Sequence, residues 1–551
     1  MKKYTAILLV LALLLAALSL LGCSNADNNL TQDQAKEKLA ALMSKISFRE
    51  LSHAPDNSWV GNANPINELP DIEVKYPLSV DGGSRAVEIF SSTEKSSRDG
   101  SGWLDIQAKA FNRANNGMSV SVRPIASGSA IGYITSRTYT PDAYSPANPL
   151  WVEILTAKGV STDLITHKLV GNTAGILMKP DTHKTFIEKY KSVTIDSMIE
   201  AVLAGDLVVA HTDPNVSSTG LNIMTSELAA FDRNDPFSTI ARDKMQAFSE
   251  KVPPVSPTTA ELVEVANKGL ADAILSEHQA WQSDPSLRKW VYTPMGVRHD
   301  SPLYALGSSD SAQEETLKAF AEFCLSDKAQ NEATALGFNP TDGYAGLQSA
   351  FTGRELQTAL EFWKQNKDAG RTVLSVFVAD RSGSMEGEPL NQLKDSLLNG
   401  SYYINENNYV GLVSYGSKKD ITIDLPIAQF DSAQHSLFYG AVRSLESGGA
   451  TATNDALLVA MNMLVDKQEE LGATDAKLRV FLLSDGEQNE GFGLKSVRGV
   501  ISGLNIPIYT IGYNANVKAL SELSSMNEAY FTPAESSDVI MKIKELFTAQ
   551  L

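Results

Sequence analysis

Two apolar runs constrain the fold of this 551-residue chain more than any other feature. Thr372-Val-Leu-Ser-Val-Phe-Val-Ala379 and Lys477-Leu-Arg-Val-Phe-Leu-Leu-Ser484 lack the polar alternation of a strand with one wet face. Strands of this kind are buried on both sides, which calls for a parallel sheet covered by helices. Ile506-Pro-Ile-Tyr-Thr-Ile-Gly512 adds a further strand, and a helix pattern follows the first run. The final third of the chain is therefore expected to be α/β.

What stands at the ends of these strands is chemical. The first run stops at Asp380-Arg-Ser382-Gly-Ser384-Met385. Open α/β sheets bind ligands at the carboxyl edge of their strands. Asp380 offers a charge there, and Ser382 and Ser384 offer hard neutral oxygens at alternate positions. Mg²⁺ and Ca²⁺ prefer such ligands. Alone, this pattern is common. Two further loops join it: Gly448-Gly-Ala-Thr451 ahead of a helix at 456–464, and Asp485-Gly486 at the end of the second run. Taken together, these residues resemble the metal-ion-dependent adhesion site of von Willebrand factor A-type (VWA) domains, over residues 371–551. The resemblance implies a doubly wound, mostly parallel sheet. It also implies Asp380, Ser382 and Ser384 as ligands from the first loop, Thr451 from the second and Asp485 from the third. One coordination position would stay open for an acidic residue of a protein partner. Arg381 departs from the pattern, since an uncharged residue is common at its position. The divalent cation could be Mg²⁺ or Ca²⁺.

Residues 84–345 alternate strand and helix signals as well. Ala86–Phe90 and Met118–Pro124 are expected strands, with a helix at 103–115 between them. Small hydroxyl residues follow the strands or open helices: Ser92 and Thr93, Ser127 and Ser129, and Ser217, Ser218 and Thr219. Helix N-termini expose N–H groups suited to anions and polar ligands, although any one such residue can act as a plain cap. Their order and spacing resemble bacterial extracellular solute-binding proteins of the two-lobed periplasmic type. That resemblance implies a cleft for a small polar or anionic solute. Oxyanion, sugar, peptide and polyamine all remain open. Residues 346–370 form an expected helical connector, with Leu356, Leu360, Phe362 and Trp363 on its apolar side.

The N-terminal end points to export. Lys2 and Lys3 precede an apolar run from Ala6 to Leu21, and Leu20-Leu21-Gly22-Cys23 then gives way to polar residues. This is the layout of a secretory signal, and its last four residues resemble a bacterial lipobox. The resemblance implies a signal peptide at 1–22 and a diacylated Cys23, since two chains suffice for stable anchoring. The chain would then be extracytoplasmic, lipid-anchored to the cell membrane or to an outer membrane. Residues 23–83 are expected to be a tether, with a short helix near 32–46 and many Pro, Asn and Gly residues after it. Cys324 sits in an apolar helical pattern and is expected to pack as a small hydrophobe.

A net charge of -18 argues against nucleic acid as a partner. G-x-S-x-G, H-E-x-x-H and P-loop motifs are missing from the sequence, which points away from catalysis. The expectation is a surface binding protein whose metal site engages a protein partner and whose middle domain is a second recognition module. The alternative is the solute receptor of an ABC importer with an accessory metal-site domain.

Overall fold

The computed structural model describes residues 30–60, 69, 71–114, 117–252, 255–256, 259–267, 269, 271–307, 310–341, 343–486, 488–513, 517–524, 526 and 531–534. The signal, Cys23, residues 61–68 of the expected tether and residues 535–551 lie outside them. Among the described residues, no helix is long and apolar enough to cross a membrane. The chain divides into two compact units, one of residues 1–63 with 371–544, the other of residues 64–370 with 545–551.

The N-terminal segment opens with α1 (Gln32–Met43), started by a capping box between Thr31 and Gln34. It buries Ala35, Leu39 and Leu42. A short strand, β1 (Phe48–Glu50), comes next.

The middle unit holds two sheets. The first has five strands, ordered β3-β2-β4-β10-β5, and the second has four, ordered β7-β8-β6-β9. In chain order these are β2 (Val87–Ser91), β3 (Val120–Pro124), β4 (Ala143–Ser145), β5 (Thr162–Thr166), β6 (Thr173–Met178), β7 (Val209–Ala210), β8 (Ala273–Glu277), β9 (Val291–Arg298) and β10 (Leu303–Leu306). Both sheets mix parallel and antiparallel pairs. Three helices of this unit carry hydroxyl or indole groups of the candidate solute site: α2 (Ser127–Ser136), α3 (Leu150–Ala157) and α4 (Ser218–Phe231). A fourth, α5 (Gly353–Asn366), occupies the stretch expected to be a connector. It is part of this unit instead, packed so closely on α3 that a Cβ on Gly353 would lie 1.9 Å from the Glu153 carbonyl oxygen. Cys324 is fully buried among apolar side chains.

The other unit resumes with β11 (Val373–Asp380), α6 (Glu388–Gly400), β12 (Tyr409–Tyr415), β13 (Ile421–Gln429), α7 (Ser432–Arg443), α8 (Thr453–Leu471), β14 (Lys477–Ser484), α9 (Leu494–Leu504), β15 (Ile508–Tyr513) and β16 (Phe531–Ala534). Its sheet has seven strands, ordered β1-β13-β12-β11-β14-β15-β16. All neighbours run parallel except β12 and β13. Every residue of β11 is buried, as its unbroken apolar run demands. On one face Phe377, Phe481 and Tyr509 stack across β11, β14 and β15 at 5.2 Å centroid spacings, with Phe438 of α7 edge-on to Phe377. The opposite face, with Val376 and Val378, packs in one cluster with Leu457, Met461 and Leu464 of α8. Helices thus cover both faces.

Residues 30–60 correct the tether expectation. They are a folded part of this unit, with α1 packed on α8 and α9. β1 extends the sheet by pairing in parallel with β13, Phe48 opposite Ile421 and Glu50 opposite Ile423. Beyond it the chain runs along α7. The Asp56 N–H donates to the Ser436 carbonyl at 2.9 Å, Ser436 Oγ donates to Asn57 Oδ1 at 2.6 Å, and the Trp59 ring stacks on His435 at 4.1 Å. Pro, Asn and Gly do break regular structure, but an extended strap needs none when another strand and helix accept its hydrogen bonds. Gly440 makes the strap possible, since a Cβ there would stand 2.0 Å from the Ala54 carbonyl oxygen. Gly440→Ala should therefore lower unfolding free energy by about 1–3 kcal/mol, the usual cost of overpacking. It should also expose residues 47–60 to protease. Urea unfolding with limited proteolysis checks both, and unchanged stability with an intact strap would contradict this packing.

Candidate metal and solute sites

β11 carries Asp380 to the carboxyl edge of the sheet, and the pairing of its neighbours brings two more loops beside it. The first loop bonds to the second through Gly383 N–H to the Gly449 carbonyl at 3.0 Å and Gly448 N–H to the Arg381 carbonyl at 2.8 Å. Gly449 holds φ +85°, a conformation that side chains disfavour. The second loop bonds to the third through Thr451 N–H to Asn489 Oδ1 at 2.9 Å, while the Asn489 N–H returns to the Thr451 carbonyl at 3.1 Å. All five residues expected as ligands therefore lie on three loops joined by hydrogen bonds. Asp380, Ser382 and Thr451 are buried, Asp485 is half-buried and Ser384 is exposed, so the set runs from the interior to solvent.

Asp380 is held by neutral donors. Its Oδ1 accepts from the Ser382 N–H at 2.9 Å, and its Oδ2 accepts from Ser484 Oγ at 2.6 Å and from Tyr415 OH at 3.1 Å. Thr453 Oγ1 in turn donates to the Tyr415 hydroxyl at 3.2 Å. Ser382 Oγ and Ser384 Oγ stand 3.1 Å apart. Burial pushes the Asp380 carboxyl above its usual range. The bonds from Ser382 and Ser484 oppose that shift, and the charge of Asp485 adds to it. Asp485 Oδ1 is itself buried with no hydrogen-bond partner. Two carboxylates thus repel each other in a desolvated setting, which is costly unless a cation compensates.

Arg381 does not provide that compensation. Its guanidinium turns to Asp420 Oδ1 at 2.7 Å and to Ser414 Oγ at 3.2 Å. Among the described residues no three His, Cys, Asp or Glu side chains gather around a metal position. What gathers is two carboxylates with Ser382, Ser384 and Thr451 on the same joined loops. This donor chemistry fits a hard divalent cation, and the orphaned Asp485 oxygen is the observation that favours one. Sequence reasoning missed Tyr415, Ser484 and Asn489, which orient the loops. Their strand-end and loop positions carried the only signal.

The seven hydroxyl residues expected to meet a solute divide. Ser217 is the N-cap of α4, its Oγ accepting from the Gly220 N–H. Ser218 Oγ accepts from Trp151 Nε1 at 3.0 Å, and Ser127 Oγ accepts weakly from the Ala147 N–H at 3.4 Å. Thr93 is exposed and Ser129 half-buried. Ser92 and Thr219 belong to a buried polar network between the two sheets. Lys95, with no exposed surface, donates to Ser92 Oγ and, at 2.8 Å, to the Ser145 carbonyl. Burial pulls the Lys95 ammonium down from its usual range, against the nearby charges of Glu94, Glu277 and Asp105. Across from it, Glu277 accepts from Thr219 Oγ1 at 3.1 Å and from Asn172 Nδ2 at 2.8 Å, and lies 2.7 Å from His299 Nδ1. Burial works to raise the Glu277 carboxyl. The charge and hydrogen bond of His299, the Thr219 hydroxyl and Lys95 outweigh it, so the group lies below its usual range. Lys95, Glu277 and His299 were not expected from the sequence, because nothing in a pattern marks a charge that will be buried. The same unit has a groove of about 560 Å³, lined by Gly128, Trp151 and Asn215 and by Arg354, Gln357 and Glu361 of α5.

Comparison with known proteins places both units. Residues 376–548 match the von Willebrand factor type A domain, and residues 100–339 match the bacterial extracellular solute-binding protein family. Curated relatives include heavy chain H1 of the inter-alpha-trypsin inhibitor from Homo sapiens, 32% identical over 152 residues, which are 26% of this chain and 16% of that protein. Heavy chain H3 from Homo sapiens is 29% identical over 181 residues, 31% of this chain and 20% of that protein. The chain spans a fifth or less of the length of these relatives. Among solved structures, a von Willebrand factor type A protein from Catenulispora acidiphila is 17% identical, with a TM-score of 0.29 over 32% of this chain and 42% of that one. Iron-bound HitA from Pseudomonas aeruginosa is 15% identical, with a TM-score of 0.38 over 52% of this chain and 99% of that one. The polypeptide thus joins a solute-binding domain to a VWA domain.

The uncompensated carboxylates generate a prediction that runs against the ordinary effect of a core substitution. Asp380→Asn keeps the shape of the side chain and removes one repelled, buried charge. In EDTA it should stabilise the protein by about 1 kcal/mol. Calorimetry in EDTA checks this, and a destabilised variant would mean that Asp380 acts as a structural hydrogen-bond acceptor.

Proposed function

We propose that this chain is a binding protein of the bacterial surface. Its VWA domain holds a divalent cation through Asp380, Ser382, Ser384, Thr451 and Asp485, and a protein partner completes the coordination with an acidic side chain. The observation that carries this reading is the pair of the buried Asp380 and the half-buried Asp485, whose second member keeps a buried oxygen without a partner. When bound, the cation supplies the missing positive charge and a Lewis-acidic position for a carboxylate. The chain's own residues do the rest. Ser484, Tyr415 and the Ser382 N–H orient Asp380, and the bonded loops hold the hydroxyls nearby. Ser384, exposed at the rim, marks the side from which a partner arrives. The middle domain is a second recognition module for a small polar or anionic solute. The match of residues 100–339 equally supports service as the receptor of an ABC importer. No step of this reading is catalytic.

The cation reading is tested by titrating Mg²⁺ and Ca²⁺ into the purified chain and by capturing extracellular proteins with it, in metal and in EDTA. Wild type should be stabilised by metal and should hold a partner only in its presence. Asp380→Ala should lose both while keeping the circular dichroism of the folded protein. Retention that ignores metal would remove the adhesion reading and leave the solute domain as the functional centre.

Residues 1–23 carry the second part of the proposal, an extracytoplasmic chain held by lipid on Cys23. Cells fed labelled palmitate should incorporate it into wild type and not into Cys23→Ser. Equal labelling of the two would exclude this anchor.

A further inference from the structure

We infer that the N-terminal strap acts on the metal loop: Arg49 holds Asp420, and this carboxylate holds the Arg381 guanidinium away from the cation seat. The inference rests on the cation reading of Asp380 and Asp485.

The geometry is a ladder with two rungs. β1 pairs in parallel with β13, Arg49 opposite Thr422, so residues four apart on the strap meet residues four apart on the other side. Arg49 Nε donates to Thr422 Oγ1 at 3.3 Å, and its terminal nitrogen donates to Asp420 Oδ1 at 3.1 Å. Four residues on, His53 Nε2 lies 3.3 Å from Asp424 Oδ1, and His53 Nδ1 lies 2.9 Å from Ser444 Oγ. Asp420 leads on to Arg381. Its guanidinium stands 2.7 Å from the same Asp420 Oδ1, donates to the Asp420 carbonyl at 3.2 Å and to Ser414 Oγ at 3.2 Å. Burial pushes the Asp424 carboxyl up, and the Ser414 hydroxyl and the charges of His53 and Arg381 pull against that rise. Arg381 is only 11% exposed.

The position of Arg381 makes this consequential. It lies between Asp380 and Ser382, so its charge is fixed within the ligand loop. A guanidinium released from Asp420 has two uncompensated carboxylates close by, and its charge would compete with a divalent cation for them. Arg49 is largely exposed, and a lone surface pair of this kind is weak. Here it is joined to a strand pairing and to a shared carboxylate, so its loss loosens the corner rather than one contact. Asp420 is therefore a positioning residue for the metal loop, and the strap is what fixes Asp420.

The test is a double-mutant cycle on the full chain in detergent, with Mn²⁺ as the probe. Asp420→Asn should weaken Mn²⁺ binding by about tenfold, within the usual range of site-to-site coupling. Arg49→Ala should weaken it less, and Arg49→Lys should restore it. Arg381→Ala should bind at least as tightly as wild type, and adding Asp420→Asn to it should change nothing further. A merely structural Asp420 would cost the same affinity in both backgrounds, and that result, or no effect at all, overturns the inference. Amide exchange at residues 382–385 in EDTA decides the link without metal. Faster exchange in Arg49→Ala and Asp420→Asn supports it, and unchanged exchange defeats it. A wild type that takes no Mn²⁺ would instead defeat the cation reading, with the exchange result still judging the strap.

Discussion

Two carboxylates that the protein itself does not neutralise dominate the edge of the larger sheet. Asp380 sits at the end of a strand buried along its whole length, and Asp485 at the end of the neighbouring one. Parallel pairing of β11 with β14 makes their approach unavoidable, because strands in register deliver their carboxyl ends to the same place. Two hydroxyls and one N–H bond to Asp380, but neutral donors cannot cancel two like charges in a desolvated site. The surrounding structure follows from that tension. Ser484 and Tyr415 orient Asp380, the second loop is tied to both others, and the Arg381 guanidinium pairs with Asp420. A site left in this condition is suited to receive a cation from outside.

Legibility from sequence followed the range of the interactions. The runs at 372–379 and 477–484 announced buried parallel strands, because a strand covered on both faces has to be apolar throughout. The place of the candidate ligand loops was legible for the same reason: polar residues directly after such a strand can only stand at the sheet edge. The diversion of Arg381 was not legible. It depends on Asp420 and Ser414, which lie on another strand and its turn, and no local pattern reports a partner more than thirty residues away. The buried Lys95 and Glu277 were hidden likewise. Each looks like an ordinary surface charge until the two sheets of the middle unit close over it.

The strap shows a different kind of limit. Residues 47–60 carry no strong strand signal and several helix breakers, so composition suggested a free tether. Their order comes from β13 and α7, whose residues they meet across more than 370 positions of sequence. Closing so long a loop adds little entropy for each extra residue, since the cost grows only with the logarithm of length. An intervening domain is therefore tolerated between the first strand of a sheet and the rest of it.

That topology bears on how the two activities can be joined in one chain. The middle unit is an insertion, entered after the strap and left just before β11. Its exit leads through seven buried residues straight to Asp380, and its entrance follows the strap that bonds to Asp420 through Arg49. Both covalent connections of the solute-binding domain thus end on elements of the sheet that carries Asp380. A domain appended at one terminus has a single covalent connection, whereas this insertion gives the solute-binding domain two, one after the strap and one before β11.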